Sequence, residues 1–220
     1  YPGWWLRSKT AGDGSARRER REFWRYSGSQ AANQSAQIGL EKLDIILLGP
    51  LAGLAAQGSY NAANRLAHLV VLAWYAVNLP HGAVWGQLFE QGRDDDVARS
   101  AKTATGWGVL VVGPLLMLFV LFGDVWTALL SPGLDQAGVS LAVLAAGLVV
   151  ALQFGPCENL LLMAGGSGRS FVNNLVALSV DIGLNLVLIP RFGAVGAAVA
   201  WIVALVVVRS LASWQLWRSR

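Results

Sequence analysis

Residues 103–122 read TATGWGVLVVGPLLMLFVLF, a stretch without a single charged side chain. A helix needs roughly 20 predominantly apolar residues to cross the hydrocarbon core of a bilayer, so this stretch predicts a transmembrane helix. Similar stretches predict further helices over residues 28–49, 58–89, 138–163, 170–189 and 194–215. Turn-forming groups separate them at Gly49-Pro50, Gln91–Asp94, Ser131–Gly133, Gly165–Gly168 and Pro190–Gly193. The predicted fold is therefore all-α, a polytopic membrane bundle of about six transmembrane helices.

The composition supports a bilayer as the solvent. The chain is 55% hydrophobic and 14% charged, whereas a soluble domain carries roughly 25% charged residues. Its 10 Trp and 25 Gly are typical of membrane proteins. The single Cys157 cannot form an intrachain disulfide, and no Cys/His cluster suggests a metal site.

The distribution of basic residues predicts the topology. If residues 1–27 form a cytoplasmic basic loop, 14 of the 17 Lys and Arg residues fall on that side, and Lys42, Arg65 and Arg191 remain. The six-helix lobe then covers residues 28–217, and residues 218–220 form a cytoplasmic tail. We therefore expect a multi-pass protein of the cell membrane with both ends of this segment cytoplasmic. The basic tail lacks interleaved aromatic residues, so no nucleic-acid partner is expected.

Polar residues recur at helical spacing inside the predicted helices. The first helix carries Gln30, Asn33, Gln34, Gln37, Glu41 and Asp44; the second carries Asn61, Asn64, Arg65, His68, Tyr75 and Asn78; the fourth carries Gln153 and Glu158; and the fifth carries Asn174, Asp181 and Asn185. Each charge near the membrane midplane costs roughly 2.5–3.5 kcal/mol, so these stripes must face away from lipid. They predict a hydrated cavity, although single Asn and Gln residues are equally explained as hydrogen-bonding links between helices.

Some of these residues are candidates for transport. The cavity or substrate-lining candidates are Asn33, Gln37, Glu41, Asp44, Asn61, Arg65 and His68. Asp181 lies between Val180 and Ile182 in an apolar helix, which favours a function for its carboxyl. His68 is either a proton relay or, more simply, a structural hydrogen-bonding residue. Lys42 lies off the stripe and is explained by snorkelling to the interface.

No enzyme signature was found. The sequence lacks H-E-x-x-H, G-x-S-x-G and G-x-x-x-x-G-K-[ST]. The segment Gly165–Ser170 lacks the lysine of a phosphate loop, and Asp94–Asp96 is better explained by helix capping than by a metal site. The sequence therefore predicts a protein that is not an enzyme and that has no cofactor or bound metal.

Three segments resemble one transporter family. Residues 43–50 read LDIILLGP, residues 58–66 read GSYNAANRL, and residues 185–200 read NLVLIPRFGAVGAAVA. Together they resemble polysaccharide and oligosaccharide flippases of the multidrug/oligosaccharidyl-lipid/polysaccharide exporter superfamily. In the third segment, Gly193 and Gly196 predict a tight turn, and Ala197, Ala198 and Ala200 predict close helix packing.

The resemblance implies one lobe of a two-lobe transporter, the carboxy-terminal half, which works by alternating access with a separate amino-terminal lobe. It implies export of lipid-linked oligosaccharide for cell-surface polysaccharide, with Na+ or H+ coupling at Asp181 and Asn185, and membrane lipid as a further partner. Arg65 is the candidate for a phosphate contact. A cation-coupled multidrug antiporter of the same superfamily is the alternative, and a membrane glycosyltransferase or polymerase is a weaker one because no outer loop is long enough.

Overall fold

The structure is a computed structural model, and it describes residues 13–130 and 136–218. Five helices occur in these ranges: α1 (Asp13–Glu90), α2 (Asp94–Leu130), α3 (Ala137–Leu152), α4 (Cys157–Met163) and α5 (Ser167–Arg218). Non-helical glycines break α1 at Gly53, with φ 88°, and α5 at Gly193, with φ 57°. We call the resulting arms α1N (13–52), α1C (54–90), α5N (167–192) and α5C (194–218).

Two predicted boundaries at the start of the chain differ from the structure. The helix begins at Asp13, within the segment that was predicted to be a loop over residues 1–27; residues 1–12 lie outside the described part. The predicted break at Gly49-Pro50 occurs at Gly53 instead. Proline has a helical φ and is tolerated within a kinked helix, whereas a positive φ strongly favours glycine. Across this break, Gln57 Nε2 donates a hydrogen bond of 2.7 Å to the carbonyl of Ile45.

The predicted helix over 138–163 is two helices in the structure. Residues 153–156 form a turn, and α3 and α4 meet at a bend of 49°. Gly155 supplies a positive φ of 60°, and Pro156 has no amide hydrogen to continue the helix. The predicted breaks near residues 91–94 and 165–168 are confirmed as short turns. The predicted Ser131–Gly133 turn lies outside the described residues.

The predicted turn at Pro190–Gly193 is confirmed, and it joins closely packed helices. A Cβ on Gly196 would lie 2.4 Å from the carbonyl oxygen of Leu188, so only glycine fits there without a shift. The small residues that follow the turn are fully buried: Ala194, Ala197, Ala198 and Ala200. At the turn itself, the amide of Ala194 donates to Gln136 Oε1 at 3.2 Å. The close packing predicted for this segment is therefore present.

The exterior of the bundle is strongly apolar. Leu54, Leu79, Leu121 and Leu129 are each at least 71% exposed, and they are four of many large apolar side chains on the surface. An exterior of this composition is typical of a protein that is covered by lipid or by another protein. Among the described residues, α2 and α5 are long and apolar enough to cross a membrane, and the bent pair α3–α4 makes a third span if it is counted as one. The described part of the chain is thus all-helical, with two or three apolar spans that are typical of a membrane protein.

Candidate functional site

Polar residues meet in the interior where α1N packs along α5N. Asn33 and Asp44 of α1N and Asn174, Asp181 and Asn185 of α5N are each at most 1% exposed. Hydrogen bonds of 2.9 Å between Asn174 Nδ2 and Asn33 Oδ1, and of 2.7 Å between Asn185 Nδ2 and Asp44 Oδ1, link the two arms. The stripe of the first predicted helix therefore pairs mainly with that of the fifth, rather than with that of the second.

The first of two clusters in this interface contains Asp44, Asp181, Asn185 and Tyr60, and we call it the paired-aspartate cluster. Both oxygens of Asp44 accept a hydrogen bond, one from Asn185 and the other from the Tyr60 hydroxyl at 2.7 Å. The carboxyl of Asp181 is fully buried and close enough to that of Asp44 for the two to interact electrostatically. Two ionised carboxylates repel each other, so a proton or a cation between them would relieve that repulsion.

Three oxygen atoms of this cluster have no donor partner: both carboxyl oxygens of Asp181 and Oδ1 of Asn185. Buried polar atoms are almost always hydrogen-bonded, because leaving them unpaired costs free energy. Carboxylate and amide oxygens are suitable ligands for hard cations. The cluster therefore has the chemistry to hold a proton or a small cation such as Na+ between α1N and α5N.

The second cluster surrounds a cavity of about 80 Å3, which we call the polar pocket. Its polar lining consists of Gln37, Glu41, His68, Tyr75, Glu158, Asn174 and Arg209. Glu158 accepts hydrogen bonds from Gln37 Nε2 at 2.6 Å and from Asn174 Nδ2 at 3.2 Å. Behind this pair, Ser170 Oγ donates to Asn33 Oδ1 at 3.3 Å. The remaining walls of the pocket are apolar, and its volume is large enough for only a few water molecules; these walls are Leu40, Val71, Leu148, Trp201, Leu205 and Val208.

An apolar layer lies between the two clusters along the helices. Leu40 is located between Gln37 and Asp44 on α1N, and Ala177 is located between Asn174 and Asp181 on α5N. Both residues pack in one buried group with Ala204 and Val208 of α5C. The paired-aspartate cluster and the polar pocket are therefore separate sites on the same helix interface.

Arg209 is the basic residue of the pocket. Its Nη1 donates to the carbonyl oxygens of Gly155, at 3.2 Å, and Ala151, at 3.5 Å, and both carbonyls lie at the α3–α4 turn. The side chain thus supplies a donor to the Gly155 carbonyl where the helix is broken, and it adds a second donor to the Ala151 carbonyl, which also accepts from the Phe154 amide at 3.3 Å. Arg209, one of the charges predicted to be cytoplasmic, is half-buried on this turn.

The predicted site residues do not all come together. Gln37, Glu41 and His68 line the pocket, Asn33 bonds to its rim, and Asp44 joins Asp181 and Asn185 in the other cluster. Asn61 and Arg65 belong to neither cluster; Asn61 is half-buried and Arg65 is exposed. Lys42 is exposed, as a snorkelling side chain would be.

Three residues of these networks lie on none of the predicted polar stripes: Tyr60, Ser170 and Arg209. Ser170 lies four positions before Asn174, and Tyr60 lies four positions before Asn64, so helical spacing from predicted polar residues would have included both. Arg209 is an isolated charge within the apolar stretch 194–215. A charged residue in such a stretch indicates a functional or structural role, so Arg209 could have been predicted as well.

Comparison with known proteins shows which class of membrane protein the chain resembles. The chain is 30% identical over 172 residues to a protein named probable flippase AglR from Haloferax volcanii. The match covers 74% of the chain but only 35% of that relative. No family model matches the sequence, and no solved structure matches it. A flippase is a transporter and not an enzyme, and this similarity supports the assignment to a flippase family that the three sequence segments predicted.

Proposed function

We propose that this chain forms one lobe of a flippase that moves lipid-linked oligosaccharide across the cell membrane by alternating access. The observation that carries the proposal is the column of buried carboxyl and amide groups between α1N and α5N, in a chain similar to a probable flippase. Ionisable groups within membrane helices are expensive, and they commonly mark ion or substrate pathways.

Six helical segments form the lobe in this proposal: α1N, α1C, α2, the bent pair α3–α4, α5N and α5C. A segment of about 25 residues is roughly 38 Å long, which exceeds the hydrocarbon thickness of about 30 Å. The basic residues of the 91–102 and 165–169 segments and of the carboxyl end then lie on the cytoplasmic side. A second lobe, contributed by the remainder of the transporter, covers part of the exposed apolar surface.

The paired-aspartate cluster is the proposed coupling site. Asp44, Tyr60 and Asp181 lie on α1N, α1C and α5N respectively, so a cation held between the carboxyls would tie three arms together. Binding of Na+ or H+ neutralises the repulsion between two buried carboxylates, and release restores it. The cation thereby favours one packing of the arms over another, which is how a ligand shifts a conformational equilibrium.

The exposed polar side chains of α1C and the mouth of the polar pocket, whose interior is too small for a sugar, are the proposed contacts for the substrate. Glu41, His68, Glu158 and the amides around them offer donors and acceptors for sugar hydroxyls. Arg65 is exposed, so its guanidinium is available to a pyrophosphate in a cavity between this lobe and its partner. The Asn- and Gln-rich stripes of the helices favour this proposal over the antiporter alternative, because drug-sized ligands are bound mainly by apolar and aromatic side chains.

The proposal is tested by complementation. The full-length protein is expressed in a strain that lacks its flippase for lipid-linked oligosaccharide, and surface glycan is quantified for the wild type, Asp181→Asn and Arg65→Ala. Asp95→Asn is the matched control, since Asp95 is exposed at the start of α2. We expect rescue by the wild type and the control, and a loss of at least tenfold in both test variants. Absence of rescue together with increased drug resistance would instead establish the antiporter.

A further inference from the structure

A second concave surface lies on the outside of the bundle, where α2, the α3–α4 turn and the end of α5C converge. It is an open groove of about 440 Å3, and we call it the Lys102 groove. Its polar lining is formed by Lys102, Thr105, Gln153 and Ser213, and Leu160, Leu216 and Trp217 contribute apolar surface. It shares no lining residue with the polar pocket, from which the α3–α4 turn separates it.

The lining of the groove contains one positively charged side chain, that of Lys102. Its lining contains no Asp or Glu, and Lys102 is exposed. In the described part of the chain, the recorded ion pairs of α2 join Asp96 to Arg93 and Arg99, and they do not involve Lys102. An anionic ligand would therefore meet a cation and no carboxylate in the groove itself; Asp94 lines a neighbouring cavity that shares Leu160 and Leu216 with the groove.

The depth of the groove along the helices matches a membrane interface. Lys102 is the last charged residue of α2 before the apolar run that continues to Gly123. At the end of α5C, Trp217 is 75% exposed, and the guanidinium of Arg218 lies 4.9 Å from the ring centre of Trp214. Tryptophan and basic residues concentrate at the level of the lipid headgroups.

We propose that the Lys102 groove binds an anionic glycerophospholipid. The Lys102 ammonium meets the phosphate, the Gln153 amide and the Ser213 hydroxyl supply hydrogen-bond donors, and an acyl chain lies along Leu160 and Leu216. Basic pockets between membrane helices bind anionic headgroups in this way. The bound lipid bridges α2, the α3–α4 turn and α5C, and so holds the broken helix in its bent form. This inference does not depend on the flippase activity.

The test is quenching of Trp217 fluorescence by brominated lipids. The full-length protein is reconstituted in bilayers of phosphatidylcholine, and brominated phosphatidylglycerol or brominated phosphatidylcholine is titrated in. The signal of Trp217 is the difference between the wild type and Trp217→Phe. We expect Trp217 to prefer the anionic lipid about fivefold, which corresponds to one lysine at the membrane surface.

Three lysine variants identify the cause of that preference. Lys102→Gln should remove it and Lys102→Arg should retain it. Lys42→Gln, the matched loss of an exposed lysine on α1N, should leave it unchanged. The proposal is overturned if Trp217 is quenched equally by both lipids, if Lys102→Gln keeps the preference, or if Lys42→Gln abolishes it as well. The last result would show a general effect of protein charge.

Discussion

The hydroxyl of Tyr60 donates to a fully buried carboxylate, and its removal measures how strongly the paired-aspartate cluster is bonded. Tyr60→Phe keeps a ring that is 1% exposed and deletes only the donor to Asp44 Oδ2 at 2.7 Å. A hydrogen bond to a charged group contributes about 1.5–3 kcal/mol in soluble proteins, and interhelical hydrogen bonds in membranes average about 0.6 kcal/mol. Because Asp44 keeps its bond from Asn185, we expect a loss of about 1–2 kcal/mol in the free energy of unfolding.

The assay is reversible unfolding of the full-length protein in mixed micelles with increasing denaturing detergent. The matched control is Tyr75→Phe, because Tyr75 is 53% exposed and its substitution should cost less than about 0.5 kcal/mol. A double-mutant cycle with Asp44→Asn should give a coupling energy of about 1 kcal/mol, since the two groups contact each other. Equal effects of Tyr60→Phe and Tyr75→Phe, together with additivity in the cycle, would refute the reasoning.

Three further results are expected. Arg209→Met should lower the free energy of unfolding by about 1–3 kcal/mol, because the Gly155 carbonyl at the α3–α4 turn loses its donor and the Ala151 carbonyl loses one of two. Arg169→Met, at an exposed position, should change it little, and equal effects of the two variants would contradict this role. Gly193→Ala should lower the free energy of unfolding by about 1–3 kcal/mol, because Gly193 has a positive φ. Gly183→Ala should not destabilise the protein, because a Cβ there meets nothing within 4 Å. Thermal unfolding compares the two variants, and equal melting temperatures would refute the strain at Gly193. If Na+ is the coupling ion, Na+ at about ten times its Kd should raise the free energy of unfolding of the wild type by about 1.4 kcal/mol relative to choline. Asp181→Asn should remove this increase. An increase that persists in the variant would show that the ion binds elsewhere.

The helical class and most of the breaks could be predicted because they depend on local chemistry. Hydrophobicity determines that the charge-free run 103–122 is a helix. The positive φ of Gly193 and the small side chains that follow it determine the turn and the close packing there. The α3–α4 turn was missed because its surroundings are as apolar as a continuous helix. Gly155-Pro156 breaks the helix there, and the Arg209 side chain, more than 50 residues away in sequence, donates to the Gly155 carbonyl.

The polar residues of the candidate site could be predicted helix by helix, but their contacts with residues of other helices could not. Helical spacing identified Asp44, Asp181 and Asn185 as interior residues, and all three are fully buried. Spacing on one helix carries no information about its neighbour, so the direct pairing of Asp44 with Asn185 was not predicted. The same limit applies to Arg65, whose exposure in this chain depends on how α1C is turned against the bundle.

The most direct test of the account measures whether the paired-aspartate cluster couples a cation gradient to flipping. Full-length wild type, Asp181→Asn and the Asp95→Asn control are reconstituted in liposomes that contain a fluorescent lipid-linked oligosaccharide, and flipping is followed by chemical quenching of the outer leaflet under an imposed Na+ or H+ gradient. We predict that one gradient accelerates flipping by the wild type and the control, and that Asp181→Asn flips at the gradient-free rate. Equal acceleration of wild type and Asp181→Asn, or no response of the wild type to either gradient, would contradict the proposed coupling.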